Sequence, residues 1–210
     1  KLGTGIALLM ERDLFSQAKT IASLDRLSNG RVMIGTGVGW NQEEFENVSP
    51  HPFNKRYAVL RETVEATRAL WSQHEAGSQG DYIKFDPVWA DPKPLQPGGP
   101  KIFMGAMGPL GRKHAAAWAD GWYPVDVAMG EVAASVASFR DEVRAAGRNP
   151  DDVEINIQIM DTSNLDKLKE YRDIGIERAT IGVSMDLWDQ PEAVMPMIDQ
   201  YAEVIPHLAA

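Results

Sequence analysis

Asn29-Gly30-Arg31-Val32-Met33-Ile34-Gly35-Thr36-Gly37-Val38-Gly39-Trp40 compresses three structural signals into one short stretch. Asn29-Gly30 stops a helix, as Asn or Gly does just past a last turn. Arg31 to Gly37 is an apolar run of strand length, and Gly37-Val38-Gly39-Trp40 leaves its C-terminal end through a glycine-rich turn. The same grammar repeats on either side. Upstream, Leu2 to Leu9 reads as a buried strand, and Leu14, Ala18, Ile21 and Ala22 then recur at helical spacing. Downstream, residues 41–54 form a polar stretch too long for a simple turn, and Tyr57, Leu60, Val64, Leu70 and Trp71 predict an amphipathic helix. Strands are expected at 102–105, 121–125, 153–159 and 179–183. Helices are expected at 110–119, over Val132, Val136, Phe139 and Val143 up to Gly147, over Leu165, Leu168 and Tyr171 up to Gly175, and at 193–208.

Six strand–helix units result, one per roughly 30 residues. Such alternation predicts an α/β protein with a parallel sheet, either doubly wound or closed as a barrel, and periodicity leaves both open. Residues 74–100 break the rhythm. Gly and Pro are dense there, and Tyr82-Ile83 with Val88-Trp89 suggest an inserted hairpin.

Composition excludes several classes of function. The 210 residues carry 21 Lys and Arg against 30 Asp and Glu, a net charge of −9 that repels phosphate backbones, so no nucleic-acid partner is expected. At 44% hydrophobic and 24% charged, the chain has the balance of a folded globular domain and not of a disordered one. No apolar run approaches the roughly 18 residues of a membrane span, so no membrane partner is expected. Cysteine is absent, which removes disulfides, zinc–thiolate sites and a Cys nucleophile together and is compatible with the cytoplasm, where we expect the protein.

Three places offer chemistry. Gly35-Thr36-Gly37-Val38-Gly39-Trp40 lies at a strand's C-terminal end, where glycines let backbone approach a flat or phosphorylated ligand. It is not a G-x-G-x-x-G pattern and has no acidic partner some 20 residues on, which disfavours an NAD-dependent doubly wound dehydrogenase. Gly105-Ala106-Met107-Gly108-Pro109-Leu110-Gly111-Arg112 joins a strand to a helix start. Free N–H groups and the helix dipole make such a terminus an anion site, and Arg112 adds a charged donor. Glu43, Glu44 and Glu46 form an acidic cluster that a solvated helix face also explains. His51, His74, His114 and His207 are scattered with no metal-helix spacing, so no metal is expected; His51, in the long stretch after a strand end, is placed to face a ligand. Most of the six tryptophans read as packing. Trp40, on the glycine turn, is the exception.

The run from Leu24 to Arg31, followed by Gly35 to Trp40 and Asn41-Gln42-Glu43-Glu44-Phe45, closely resembles the luciferase-like monooxygenase family, most of all its branch dependent on the deazaflavin coenzyme F420. Phe53, Arg56, Glu62, Leu70-Trp71, Gly80, Tyr82, Pro92-Lys93-Pro94, Gln96, Gly105, Asp120-Gly121-Trp122 and Pro124 continue the resemblance in order. It implies a (β/α)8 TIM barrel with an insertion around 74–100 and a cofactor at the strands' C-terminal ends. It further implies a non-proline cis peptide at Gly5–Ile6 beneath the cofactor ring, with Gly37, Val38, Gly39 and Trp40 lining the ring. Gly105, Ala106, Gly108, Leu110, Gly111 and Arg112 would hold the phosphate. The sugar-phosphate dehydrogenase branch carries a catalytic Glu where this chain has Trp40, which argues against that substrate. Glu43 remains the candidate for a polar contact near the substrate.

The resemblance implies an oxidoreductase that uses F420, or alternatively FMN, to reduce or monooxygenate a small organic substrate. A cofactor-binding protein without turnover is the rival. The first strand here resembles the family's third, and a TIM barrel has eight strands against six counted. Residues 1–210 are therefore expected to be one luciferase-like barrel domain lacking its first two β/α units, part of a longer natural protein. The outer strands, Leu2–Leu9 and Ala179–Val183, are apolar edges, which a partner chain in a homodimer would cover.

Overall fold

The computed structural model describes residues 1–160, 166–183, 187 and 189–208. These divide into two compact units, Lys1–Gly105 and Ala106–Ala210.

In the first unit, three parallel strands pair in the order β1 (Leu2–Ala7), β2 (Val32–Thr36), β5 (Lys101–Met104). β2 and β5 are apolar and buried, with Val32, Ile34, Ile102, Phe103 and Met104 at 3% exposure or less. The helix α1 (Leu14–Leu27) starts where the Asp13 side chain accepts from Ser16 N and ends at Asn29 and Gly30, both at positive φ. α3 (Arg56–Ser72) buries Val59, Leu60, Val64, Leu70 and Trp71 on one face. Each such side chain taken from water contributes about 1.5–3 kcal/mol. The Trp71 indole N–H donates to the carbonyl of Ala18 at 3.0 Å, fixing α3 on α1. Beneath them Asp25, wholly buried, accepts from the backbone N–H groups of Val32, Leu95 and Gln96 and from the Gln96 amide.

Three local expectations change here. The strand expected to be buried over Leu2–Leu9 ends at Ala7 and is exposed, because it is the outer strand of its sheet, and Leu9 opens a short 3-10 turn. The polar stretch after β2 contains a helix, α2 (Gln42–Val48). Asn41 caps it by accepting from the N–H groups of Glu43 and Glu44, and Phe45, fully buried, anchors it against Phe53 at 5.8 Å between ring centroids. One buried residue in two turns, with Val48 exposed, leaves little periodicity to read. The inserted hairpin is also displaced, to β3 (Ala76–Gln79) and β4 (Lys84–Val88). Tyr82 and Ile83 belong to its tip because, with Asp81, they donate their backbone N–H groups to the Glu62 carboxylate of α3 at 2.7–3.1 Å. Gly80 permits that approach: a Cβ there would lie 2.2 Å from a Glu62 oxygen. Trp89 lies beyond β4, exposed and stacked on His74.

In the second unit, β6 (Gly121–Trp122), β7 (Glu154–Ile159) and β8 (Arg178–Ile181) pair in parallel and in order. β6 is shorter than expected because Pro124 has no N–H for a ladder; its carbonyl accepts from Gln158, and a bridge at Val125 resumes the pairing. α4 (Pro109–Trp118) and α5 (Val132–Ala145) cover these strands through Ala115, Ala116, Val136, Phe139 and Val143. Trp122 and Phe139, both buried, pack at 4.6 Å. α6 (Asp166–Asp173) buries Leu168 and Tyr171 and stops at Gly175, while Leu165 lies outside the described residues. α7 (Pro191–Val204) contains Pro196 and buries none of its side chains. Among the described residues no helix is long and apolar enough to cross a membrane.

Candidate functional site

The C-terminal ends of β1, β2 and β5 converge on one side chain. The Gly5–Ile6 peptide is cis, and the register with β2 slips by one residue between Thr4 and Ala7. Two hydroxyls hold the irregular segment in place. Thr4 Oγ1 donates to Gly35 O and Thr36 Oγ1 donates to Ala7 O, each at 2.8 Å. Gly105 N donates to Thr36 O at 2.7 Å and joins the end of β5 to the same cluster. Ile6 thereby projects over two glycines. A Cβ on Gly37 would lie 2.2 Å from Ile6 Cδ1, and one on Gly105 would lie 2.9 Å from Ile6 Cγ2. Ile6 itself is 44% exposed, so its outer side forms an apolar surface open to solvent.

The turn after β2 continues from this surface. Val38 is buried, Gly39 has φ +68° and Trp40 is 89% exposed. Glu43 is exposed in the first turn of α2. Beside Gly39 stands a residue that motif reading missed. Glu11, in the turn after β1, has one carboxylate oxygen 3.4 Å from the position a Gly39 Cβ would take. That oxygen is buried and has no hydrogen-bond partner among the described residues. Burial, then the Glu44 carboxylate, push the Glu11 pKa above the usual range, and Arg12 opposes them. Its only signal in the sequence is a Glu wedged between the apolar Leu8-Leu9-Met10 and the Asp13 helix cap. His51 is half-buried and meets Tyr82 edge to face at 5.2 Å.

The second unit holds the other predicted residues. Gly108 is the N-cap of α4, with Pro109 at the first helical position. Pro109 has no N–H, so Leu110 and Gly111 supply first-turn donors that lack helical partners. Leu110 is 54% exposed, and a Cβ on Gly108 would meet nothing within 4 Å. The Ala106 carbonyl accepts from the Trp122 indole at 2.6 Å. Arg112 points elsewhere than the loop: its guanidinium pairs with Glu142 at 2.6 Å, donates to Ser138 at 3.1 Å and lies 5.2 Å from the Trp122 ring.

Parallel strands joined through covering helices, with glycine turns at their C-terminal ends, make this an α/β protein of the barrel type. Residues 1–176 match the luciferase-like monooxygenase family, and the chain belongs to that family. This also sets aside the doubly wound alternative. An uncharacterised protein of Mycobacterium tuberculosis is 40% identical over 188 residues, 87% of this chain and 64% of that protein. An FMNH2-dependent dimethylsulfone monooxygenase of Pseudomonas fluorescens is 33% identical over 143 residues, 67% of this chain and 38% of its own. An F420-dependent glucose-6-phosphate dehydrogenase of Mycolicibacterium gilvum is 32% identical over 148 residues, 68% of this chain and 43% of its own. The chain thus spans less than two thirds of the length of these relatives. The fold matches the solved structure of an F420-dependent secondary alcohol dehydrogenase in complex with an F420–acetone adduct, with a TM-score of 0.74 at 20% identity over 99% of this chain and 79% of that one.

Proposed function

We propose that the protein is an oxidoreductase that binds reduced F420, with FMN as the alternative, and acts on a small organic substrate. The observation that carries this reading is the Ile6 side chain laid over Gly37 and Gly105, an exposed apolar shelf at the ends of three strands. A flat ring system fits such a surface, and the open space at Gly108 suits a bulky anion at the α4 N-terminus. The relatives support both cofactors: one is named for FMNH2 and another for F420. The Gly37-to-Phe45 run, which resembles the F420 branch, favours F420.

When bound, the cofactor supplies hydride transfer, or oxygen activation in the FMN case. The chain's own residues bind and orient. Gly5 and Ile6 support the ring, and Gly37, Val38, Gly39 and Trp40 line it. Gly105, Ala106, Gly108, Leu110 and Gly111 offer backbone to the phosphate, with Arg112 adding positive charge nearby while held by Glu142. Glu43 contacts the substrate from the first turn of α2. A homodimer and a cytoplasmic location belong to the same reading.

Titration with each cofactor, followed by absorbance near the F420 band or the yellow flavin band, tests the proposal. Saturable F420 binding is expected. Micromolar FMN binding without detectable F420 binding overturns the F420 preference, and binding of neither overturns the reading.

A further inference from the structure

The second unit holds a concavity of its own. It measures about 400 Å³ and lies at the C-terminal ends of β7 and β8, against the segment that follows β8 and the first turns of α7. Side chains alternate along β7, so Ile155, Ile157 and Ile159 share one face, at 3% exposure or less, and Gln158 stands on the other, paired with Thr180 of β8. Gln158, Met160, Gly182, Val183, Leu187 and Val194 line the space. Each is half-buried, so each keeps surface that a ligand can reach. Apolar walls with a few placed polar groups, around roughly 300–1,000 Å³, are the usual form of a small-molecule site.

Among the described lining residues none carries a charge, and Gln158 supplies the one side-chain amide. Its Nε2 donates to Met160 Sδ at 3.5 Å. A thioether is a weak acceptor and takes one of the two N–H bonds, so the other has no protein partner among the described residues. Gly182 keeps room beside this amide. It lacks the positive φ that calls for glycine, yet a Cβ there would lie 3.1 Å from the Ile159 carbonyl oxygen, 3.2 Å from Met160 Sδ and 3.8 Å from Gln158 Nε2. A side chain at that position would press on the very groups that aim the amide. A charged ligand would give up its hydration for walls with no opposite charge among the described residues. A neutral carbonyl oxygen gives the spare N–H an acceptor, and the apolar body behind it meets Met160, Val183, Leu187 and Val194.

We propose that this pocket binds a small, mainly apolar ketone or other uncharged carbonyl compound, its oxygen accepting from Gln158 Nε2. The inference concerns binding alone, and none of the lining residues is among those assigned to the cofactor.

Cyclohexanone, methylenecyclohexane and cyclohexanecarboxylate present the same ring with an acceptor oxygen, with none, and with a negative charge. Each is titrated into the 210-residue chain near neutral pH and without cofactor. Isotope-labelled methionine methyl groups report by NMR, with the Met160 signal assigned through Met160→Leu. Cyclohexanone is expected to saturate, to move the Met160 signal and to bind about fivefold tighter than methylenecyclohexane, the scale of a hydrogen bond between neutral groups. Cyclohexanecarboxylate is expected to bind weakest. Gln158→Leu, with unchanged circular dichroism, is expected to lower the ketone to the affinity of the hydrocarbon and to leave the hydrocarbon unaffected. The proposal is overturned by absence of saturable ketone binding, by a Met160 signal that stays in place, by hydrocarbon or carboxylate binding as tightly as the ketone, or by a ketone preference that survives Gln158→Leu. Should Gln158→Leu fail to fold, the three probes on the unmodified chain decide the matter. None of these outcomes touches the F420 or FMN titration, so either reading can fail without the other.

Discussion

Glycine does opposite work at the strand ends of the first unit and at the α4 start of the second. In the first, Gly37 and Gly105 are glycine because Ile6 occupies the space a side chain would need. In the second, Gly108 faces open space and has an ordinary negative φ, so neither crowding nor backbone conformation demands it. The buried aspartates differ in the same sense. Asp25 of the first unit accepts from four donors, whereas Asp126 of the second accepts from the N–H groups of Val127 and Met160. At these positions the first unit fills space and shares an acceptor, and the second leaves the α4 start open.

The aspartates give the largest expected contrast. Asp25→Ala orphans several buried donors and is expected to cost about 3 kcal/mol or more, against about 1–3 kcal/mol for Asp126→Ala. Urea unfolding with a fitted midpoint and slope measures both, and equal losses would break the comparison. The glycines come next. Gly37→Ala and Gly105→Ala are each expected to cost about 1–3 kcal/mol from overpacking, while Gly108→Ala stays within about 0.5 kcal/mol. Ile6→Val sharpens the test. It removes Cδ1, the atom 2.2 Å from a Cβ on Gly37, and keeps Cγ2, the atom 2.9 Å from a Cβ on Gly105. Stability is therefore expected to return in the Gly37→Ala background and not in the Gly105→Ala background.

Arg112 measures whether the second unit spends its charge on packing or on ligand. With its side chain 18% exposed and paired to Glu142, Arg112→Ala is expected to lower the cofactor-free melting temperature, at a cost of about 1 kcal/mol. A loss seen only in the presence of cofactor would assign Arg112 wholly to the phosphate.

The smallest effects follow from pH. Asp13 has its pKa lowered by Ser16 N–H, so its stabilisation is present above the ordinary aspartate range and is lost as pH falls through the lowered value. Asp13→Ala is accordingly expected to cost about 1 kcal/mol near neutral pH and less in acid. Glu11 has the opposite sign. Its raised pKa means the folded state prefers the protonated form, so Glu11→Gln is expected to stabilise slightly near neutral pH. That gain should vanish below the usual carboxylate range. Melting curves across the acid range test both.

The strand starts were legible to within one residue, because Val32–Thr36 is a largely apolar run and Glu154–Ile159 alternates polar with apolar residues, each following a helix stop, at Gly30 and Gly147. The cis peptide also falls at Gly5–Ile6, where the family resemblance put it. What escaped depended on partners distant in the chain. Nothing local to Tyr82 shows that Glu62 holds its N–H out of the ladder, and α2 rests on Phe45 meeting Phe53 rather than on a periodic stripe. Glu11 escaped for the same reason, since its environment is made by Gly39 and Glu44. Arg112 could be located at a helix start, but not its turn toward Glu142, which belongs to the next helix.

The grip of Glu62 on the hairpin tip has a consequence in time. Amide protons of a surface turn ordinarily trade with solvent almost as fast as those of a free peptide. Those of Asp81, Tyr82 and Ile83 are all held by one carboxylate on a neighbouring helix. Their exchange with deuterated water should therefore run on a single clock, set by how often Glu62 lets go, and all three amides should speed up together when its charge is removed.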